Sequence, residues 1–311
     1  MKKAIVLWAA LMMAVSVSAQ QKGVQVTSVL EIYDIQTGSR TVVKEFDGTM
    51  EAPNWSPDGK WLLYNQGGRL YKIAPEPGAE PSLIDMKFVT RCNNDHVISA
   101  DGKYIGMSAN AHKSGGYSSY IYIAPFAGGE APRLVTPFST SYLHGWSPDM
   151  KTLVYCAMRE SDPDGDIYSI PAEGGDETRL TTAEGLDDGP EYSPDGKHIW
   201  FNSVRTGEMQ VWRMNADGTA QTQMTFDTDL YSWFPHVSPD GKRVVYLCFH
   251  KGDLAPNQHL ANKHVLLRMI PAEGGTPRTL LELFGGQGTI NVNSWAPDSR
   301  RFAFVSYRVK E

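Results

Sequence analysis

The sequence predicts an all-β protein, a six-bladed β-propeller of four-stranded blades whose last blade is completed by strands from the N-terminus. Three observations predict it. The stretch Trp55-Ser56-Pro57-Asp58-Gly59-Lys60 recurs around Asp101, Asp149, Asp195, Asp240 and Asp298, six copies spaced roughly 43 to 58 residues apart, close to the length of one propeller blade. Each copy is followed by a β-branched or aromatic run and then by a second such run that ends in a glycine turn. The chain stops after the second run of the sixth copy, while its N-terminal part carries an unmatched pair of strand patterns.

The motif is a strand-joining turn. Pro presets φ, the Asp carboxylate caps the turn and Gly supplies the positive φ that closes it. Behind the six turns come the second strands, among them Trp61-Leu62-Leu63-Tyr64, Thr152-Leu153-Val154-Tyr155 and Arg301-Phe302-Ala303-Phe304. Third strands follow as Leu70-Tyr71-Lys72-Ile73, Tyr120-Ile121-Tyr122-Ile123, Asp166 to Ile170, Gln210 to Met214 and Val265 to Ile270. The pairs Gly128-Gly129, Gly174-Gly175, Asp217-Gly218 and Gly274-Gly275 then turn the chain into a more polar fourth strand. Val29 to Ile35, Gly38 and Thr41 to Phe46 repeat the pattern of third strand, turn and fourth strand. Pairing them with Asn291 to Arg308 closes the ring and removes its open edges.

Residues 1–19 read as a cleavable signal peptide, with Lys2 and Lys3, an apolar stretch from Ala4 to Val15, and the small-residue site Val17-Ser18-Ala19. The expected mature protein is a single domain over 20–311, periplasmic or secreted, without a transmembrane anchor and monomeric. Cleavage before Gln20 moves the formal charge from −6 to −8, and an acidic chain without a basic stripe is a poor partner for nucleic acid. Cys156 and Cys248 fall in strand patterns, and Cys92 completes an odd set, so buried free thiols are expected instead of a disulfide framework.

The repeated Ser-Pro-Asp-Gly-Lys core resembles the TolB-type, or PD40, branch of the WD40-like propellers, over nearly the whole mature chain. Full-length TolB carries an α/β domain before its propeller. Here about 30 residues precede the first motif, so the resemblance does not imply the Tol-Pal role. Propeller-containing prolyl peptidases carry a hydrolase domain, and the sequence has no Gly-x-Ser-x-Gly elbow. In blades of this family the first strand lines the channel, and its start shares one face with the loop between strands two and three. His96, His144 and His236 fall in first strands, His112, His250, His259 and His264 in or beside those loops, and only His198 elsewhere.

Counted back from each turn Asp, position five holds Pro53, His96, His144, Pro190, Pro235 and Asn293; position seven holds Glu51, Asn94, Tyr142, Asp188, Trp233 and Asn291. An uninterrupted pleat puts both positions on one face. His96, His144 and His236, with Asp188 and Glu191 and the nearby Asn94, Asp95 and Asp187, then form a channel-mouth ring. It could hold Mn²⁺, Ca²⁺ or Zn²⁺, could supply an acid and a base, or could only hold channel water. Ten residues after the turn Asp stand Arg159, Arg205, His250 and Arg308, either a seat for an anion such as an acidic sugar or neutralisers of the mouth carboxylates.

The polar insertion from His250 to His264 is a candidate lid over the same face, or a surface excursion. Asp162-Pro163-Asp164-Gly165-Asp166 resembles only a fragment of a calcium loop and reads as a solvated turn. Gly285-Gly286-Gln287-Gly288 reads as close backbone packing, since neither a helix nor a P-loop lysine follows.

Two functions are expected. The first is an exported interaction module that binds glycan fragments or envelope proteins through the His/Arg-rich mouth. The second is a divalent-metal-dependent lyase acting on uronate oligosaccharides, by resemblance to oligogalacturonate lyases, propellers of seven blades that use histidines and a glutamine around the metal. His96, His144 and His236 are the expected metal ligands on that reading, and the lyase's own ligands do not align one by one with them or with Gln258.

Overall fold

The computed structural model describes residues 25–110, 118–160 and 162–310, and the described residues contain only strands and turns. The chain opens with β1 (Gln25–Asp34) and β2 (Arg40–Asp47). The first blade is β3 (Met50–Trp55), β4 (Leu62–Gln66), β5 (Arg69–Ile73) and β6 (Ser82–Leu83), and the second is β7 (Cys92–Ile98), β8 (Tyr104–Asn110), β9 (Ser119–Pro125) and β10 (Arg133–Leu134). The third is β11 (Ser141–Trp146), β12 (Thr152–Arg159), β13 (Asp162–Pro171) and β14 (Thr178–Arg179). The fourth is β15 (Asp187–Tyr192), β16 (His198–Ser203), β17 (Gln210–Asn215) and β18 (Thr222–Gln223). The fifth is β19 (Leu230–Val237), β20 (Arg243–His250), β21 (Ala261–Pro271) and β22 (Arg278–Gly286).

The sixth blade mixes both ends of the chain. β23 (Arg301–Lys310) pairs antiparallel with β1 from Gln25↔Lys310 to Asp34↔Arg301, and β2 pairs outside β1. The ring is therefore sealed as the sequence predicts. Its innermost segment departs from a regular strand, with one isolated bridge, Trp295↔Phe302. Asparagine side chains take up backbone donors there: Gly288 N–H donates to Asn291 Oδ1 (2.6 Å) and Trp295 N–H to Asn293 Oδ1 (3.0 Å).

The repeated motif works as its composition suggests. Ser56 Oγ donates to Asp58 Oδ1 (2.6 Å) and accepts the Trp61 N–H (3.0 Å), while Lys60 N–H donates to the same carboxylate (3.1 Å). The Ser–Asp bond recurs at Ser99, Ser147, Ser193 and Ser238. Gly59 sits at φ +76°, where an L side chain is strained, yet Met150 adopts φ +63° at the equivalent place.

Six residues after the motif Asp stand Tyr64, Met107, Tyr155, Phe201, Tyr246 and Phe304, all buried. They fill the gaps between blades. One cluster joins Leu63 and Leu70 of the first blade to Ile105 and Met107 of the second, and another joins Ile121 and Ile123 of the second to Leu143 and Tyr155 of the third. Each such side chain contributes roughly 1.5–3 kcal/mol of burial, so neighbouring blades stabilise one another. Cys92, Cys156 and Cys248 are free and buried, as expected.

Candidate functional site

The inner strands carry the site, and each is bulged just before its motif turn. Ladder registers shift between Glu51 and Asn54, Cys92 and His96, Leu143 and Gly145, Asp188 and Glu191, and Trp233 and His236. Six residues before the turn Asp, Ala52, Gly189 and Phe234 take positive φ of 58°, 63° and 52°. A bulge re-aims the side chains on either side of it. Gly189 also has no room for a side chain, since a Cβ would lie 2.6 Å from Asn202 Oδ1 and 3.1 Å from the Phe234 ring. The simple alternation expected for positions five and seven is therefore broken, and a position-six residue, Asp95, joins the site.

His144, Asp188, Asp95 and His259 come together. His144 Nε2 lies 3.2 Å from Asp188 Oδ1 and 3.9 Å from Asp95 Oδ1, and its ring stacks 5.8 Å from Phe234. Burial acts to lower the His144 pKa, but the charges of Asp95 and Asp188 outweigh it and hold it at about 9. Asp188 also accepts the Gly189 N–H (2.7 Å), and despite its burial the neighbouring His144 keeps its pKa below the usual carboxylate value. Burial pushes Asp95 up to about 6 and Glu51 up to about 7, with the Asp95 charge adding to the second.

His96 is fully buried, neither ring nitrogen has a hydrogen-bond partner among the described residues, and burial pushes its pKa down to about 3. Asn94 Nδ2 and His144 Nδ1 are likewise buried without a protein partner.

His236 and Glu191 form a different arrangement. His236 Nδ1 meets Glu191 Oε2 (2.6 Å) and Nε2 meets the Ile290 carbonyl (2.5 Å), so both ring nitrogens are used. Glu191 Oε1 accepts the Val237 N–H (3.0 Å) and the Asn293 amide (2.6 Å). Asn54 does similar work four residues before its own turn Asp: Asn54 Oδ1 accepts the Ile98 N–H (3.0 Å) and Nδ2 donates to the Asn293 carbonyl (2.6 Å). Position four thus clasps adjacent blades. Both His236 ring nitrogens already face protein oxygens, and no group of three His, Cys, Asp or Glu among the described residues is placed to hold a metal. The residues do not fit the metal site expected of His96, His144 and His236.

The arginine level does not converge on the mouth either. Arg159 forks onto Glu177 (2.6 and 2.7 Å), donates to the Thr140 carbonyl (3.0 Å) and lies over the Tyr168 ring at 5.2 Å. Arg205 pairs with Asp187 (2.6 Å), the neutralising role, and stacks on Trp212 at 4.7 Å. Arg308 is exposed and pairs with Glu45 (2.7 Å). His250 ends β20. Of the other loop histidines, His264 packs edge-on against Phe284 at 5.3 Å, and His112 lies outside the described residues.

The insertion is shorter than its composition suggests, because β21 takes up Ala261 to His264 and leaves 251–260 as loop. That loop reaches the mouth. The His259 ring lies 4.5 Å from Trp233 and 5.1 Å from Phe234, and its Nε2 lies 3.9 Å from Asp188 Oδ2.

Residues 97–269 match the family described as the TolB beta propeller domain, PD40. The chain belongs to that family. An uncharacterised Agrobacterium fabrum protein, Atu1656, is 45% identical over 92% of this chain and 94% of its own length. A solved Agrobacterium tumefaciens structure described as a TolB shares 44% identity with a TM-score of 0.85, over 91% of this chain and 99% of that one. The Tol-Pal system protein TolB of Francisella tularensis is 26% identical over 82% of this chain, which spans 56% of that protein. An oligogalacturonate lyase solved with manganese shares the fold, at 15% identity and a TM-score of 0.53 over 83% of this chain and 74% of that one.

In this TolB-like propeller the contacts group some of the candidate residues and separate others. Asp95, His259, Trp233 and Phe234 build the mouth, whereas Glu191 and His236 hold blades together. Bulge positions have no residue signature beyond Gly189, and the partner of His259 is set by how the loop folds back. No helix of the described residues is long and apolar enough to cross a membrane.

Proposed function

We propose that this chain is an exported, TolB-like interaction module whose channel mouth receives a hydroxyl-bearing or cationic group, from a glycan fragment or from a segment of an envelope protein. One observation carries the reading. The inner strands and the 251–260 loop carry buried polar atoms that have no hydrogen-bond partner among the described residues: both nitrogens of His96, Asn94 Nδ2, and Nδ1 of His144 and His259. Buried polar atoms are nearly always paired, so these call for water or for a ligand's polar groups. The charge balance narrows the class. Asp95, Asp188 and Glu51 outnumber the cations beside them, while Arg159, Arg205 and Arg308 are paired elsewhere. Such a mouth favours hydroxyls and cations over uronates. The leader-like start of the sequence and the Tol-Pal name of one relative support a periplasmic setting.

Titration calorimetry with neutral oligosaccharides, uronate oligosaccharides and short basic peptides tests this. Neutral or basic probes should bind, and His144→Gln should weaken the neutral ones by about tenfold while leaving the basic ones as tight or tighter. Preference for uronates, or no binding by any of the three, would overturn it.

A lyase acting on acidic oligosaccharides is the second reading, favoured by Glu51 and Asp95, whose raised pKa values suit a general acid or base near neutrality. Its assay is the ultraviolet absorbance of an unsaturated uronate product, formed by the natural chain and lost in Glu51→Gln.

A further inference from the structure

We propose that the loop 251–260 is a built-in occupant of the mouth, with His259 seated in a niche that a basic side chain of a partner polypeptide takes by displacing it. The proposal rests on the interaction-module reading and names the ligand's chemistry.

The niche is made of two aromatic faces and a carboxylate. Trp233 and Phe234 are fully buried, with ring centroids 5.6 Å apart, and Asp188 lies beside them. His259 fills this space without using it. Its Nε2 stops 3.9 Å from Asp188 Oδ2, beyond hydrogen-bond reach, and its Nδ1 has no partner. Trp233 Nε1 is buried without a partner as well. An imidazole that makes contact but no hydrogen bond is a placeholder. A lysine ammonium or an arginine guanidinium, longer and permanently charged, reaches the Asp188 oxygen and still lies over the indole. Charge argues the same way, since two carboxylates, Asp95 and Asp188, share the one imidazole of His144.

The loop is fastened lightly enough to give way. Its root is held by Lys251 N–H donating to the Asp229 carbonyl at 2.9 Å, but beyond the root its backbone ties are long, with Asp253 N–H to the His250 carbonyl and Gln287 N–H to the Leu260 carbonyl both at 3.2 Å. Lys263 Nζ reaches the Asp253 carbonyl at 3.3 Å, Lys251 pairs with Glu208 at the root, and Leu254 packs against the core. Partial exposure of His259, 23% of its side chain, puts it between the buried cluster and solvent.

The test uses the full chain and two probes, the amidated tripeptides acetyl-Gly-Arg-Gly and acetyl-Gly-Glu-Gly, titrated into wild type and His259→Ala. Removing an internal competitor raises the competent fraction, so the Arg probe should bind His259→Ala at least about tenfold tighter than wild type. The Glu probe should bind neither, and adding Asp188→Asn to His259→Ala should abolish the gain. Arg-probe binding that is unchanged or weaker in His259→Ala, or indifferent to Asp188→Asn, overturns the displacement proposal. If neutral glycans still bind at the mouth in that case, the interaction module stands without it. If no probe binds either protein, both fail together. Hydrogen exchange on wild type gives an answer that needs no variant. The Arg probe should speed exchange of amides in 253–260, and unchanged protection at saturating probe refutes displacement.

Discussion

Replacing Asp188 by Asn isolates the electrostatics of the mouth. The amide keeps the shape and still accepts the Gly189 N–H, but removes the charge 3.2 Å from His144. In the folded protein His144 titrates at about 9 against 6.5 for a free imidazole, a raised value. Its contribution to stability is therefore fully present below pH 6.5 and is lost as pH rises through about 9. A shift of this size corresponds to about 3 kcal/mol. Asp95, at 3.9 Å, remains in the variant, so roughly half of that pH-dependent stability should disappear with Asp188. Urea unfolding of both proteins across pH 6.5 to about 9 reads this directly, because groups unaffected by the substitution cancel in the difference. The wild-type curve should fall more steeply, so the difference between the two should change by about 1.5 kcal/mol across this range. Parallel curves would refute the assignment of a charged His144 held by Asp188.

Other outcomes follow from the remaining contacts. Glu191→Ala removes the acceptor for Val237 N–H, Asn293 and His236 at once and should cost about 3 kcal/mol in urea unfolding. Arg159→Ala should cost about 2–4 kcal/mol by the same measurement, through loss of the Glu177 fork and of packing over Tyr168, and should leave ligand affinity at the mouth unchanged. Met150→Gly relieves a non-glycine residue at φ +63° and should stabilise the protein by about 1 kcal/mol, a modest upward shift of Tm. Cys92 and Cys248, whose thiols burial pushes up to about 12, should react with a disulfide reagent only at the rate of global opening.

The fold was legible because its signal is local and repeated. Each Ser-Pro-Asp-Gly-Lys core contains its own hydrogen-bond partners, so Ser56 and Asp58 announce a turn without help from elsewhere in the chain. Counting from each Asp assigns candidates such as His96, His144 and Asp188 to the inner strands by the same local signal. The membership of the site was not legible in this way. Counting assumes an unbroken pleat, and the register shift between Cys92 and His96 breaks it in the second blade, where Asp95 lies beside His144. His236 looked like a ligand because sequence shows residue type and position, whereas its two bonds come from Glu191 and Ile290, in other blades. Arg159 likewise finds Glu177 across its own blade, on the outer side, a pairing that no spacing in the sequence encodes. Where partners are distant in the chain, residue type proposes and the folded backbone decides.

The ladder between β1 and β23 has a consequence for the order of events during folding. Its partners, such as Gln25 and Lys310, are separated by nearly the whole chain, so joining them costs about 5 kcal/mol of loop entropy that no local turn offsets in advance. Blades whose contacts lie within some fifty residues can assemble early. The seam must come last, after β23 has emerged, and until then the inner faces of the first blade and of β1 lack a neighbour. A chain built this way cannot complete its fold while it is still being synthesised, since the last strand to be made is the one that closes the ring.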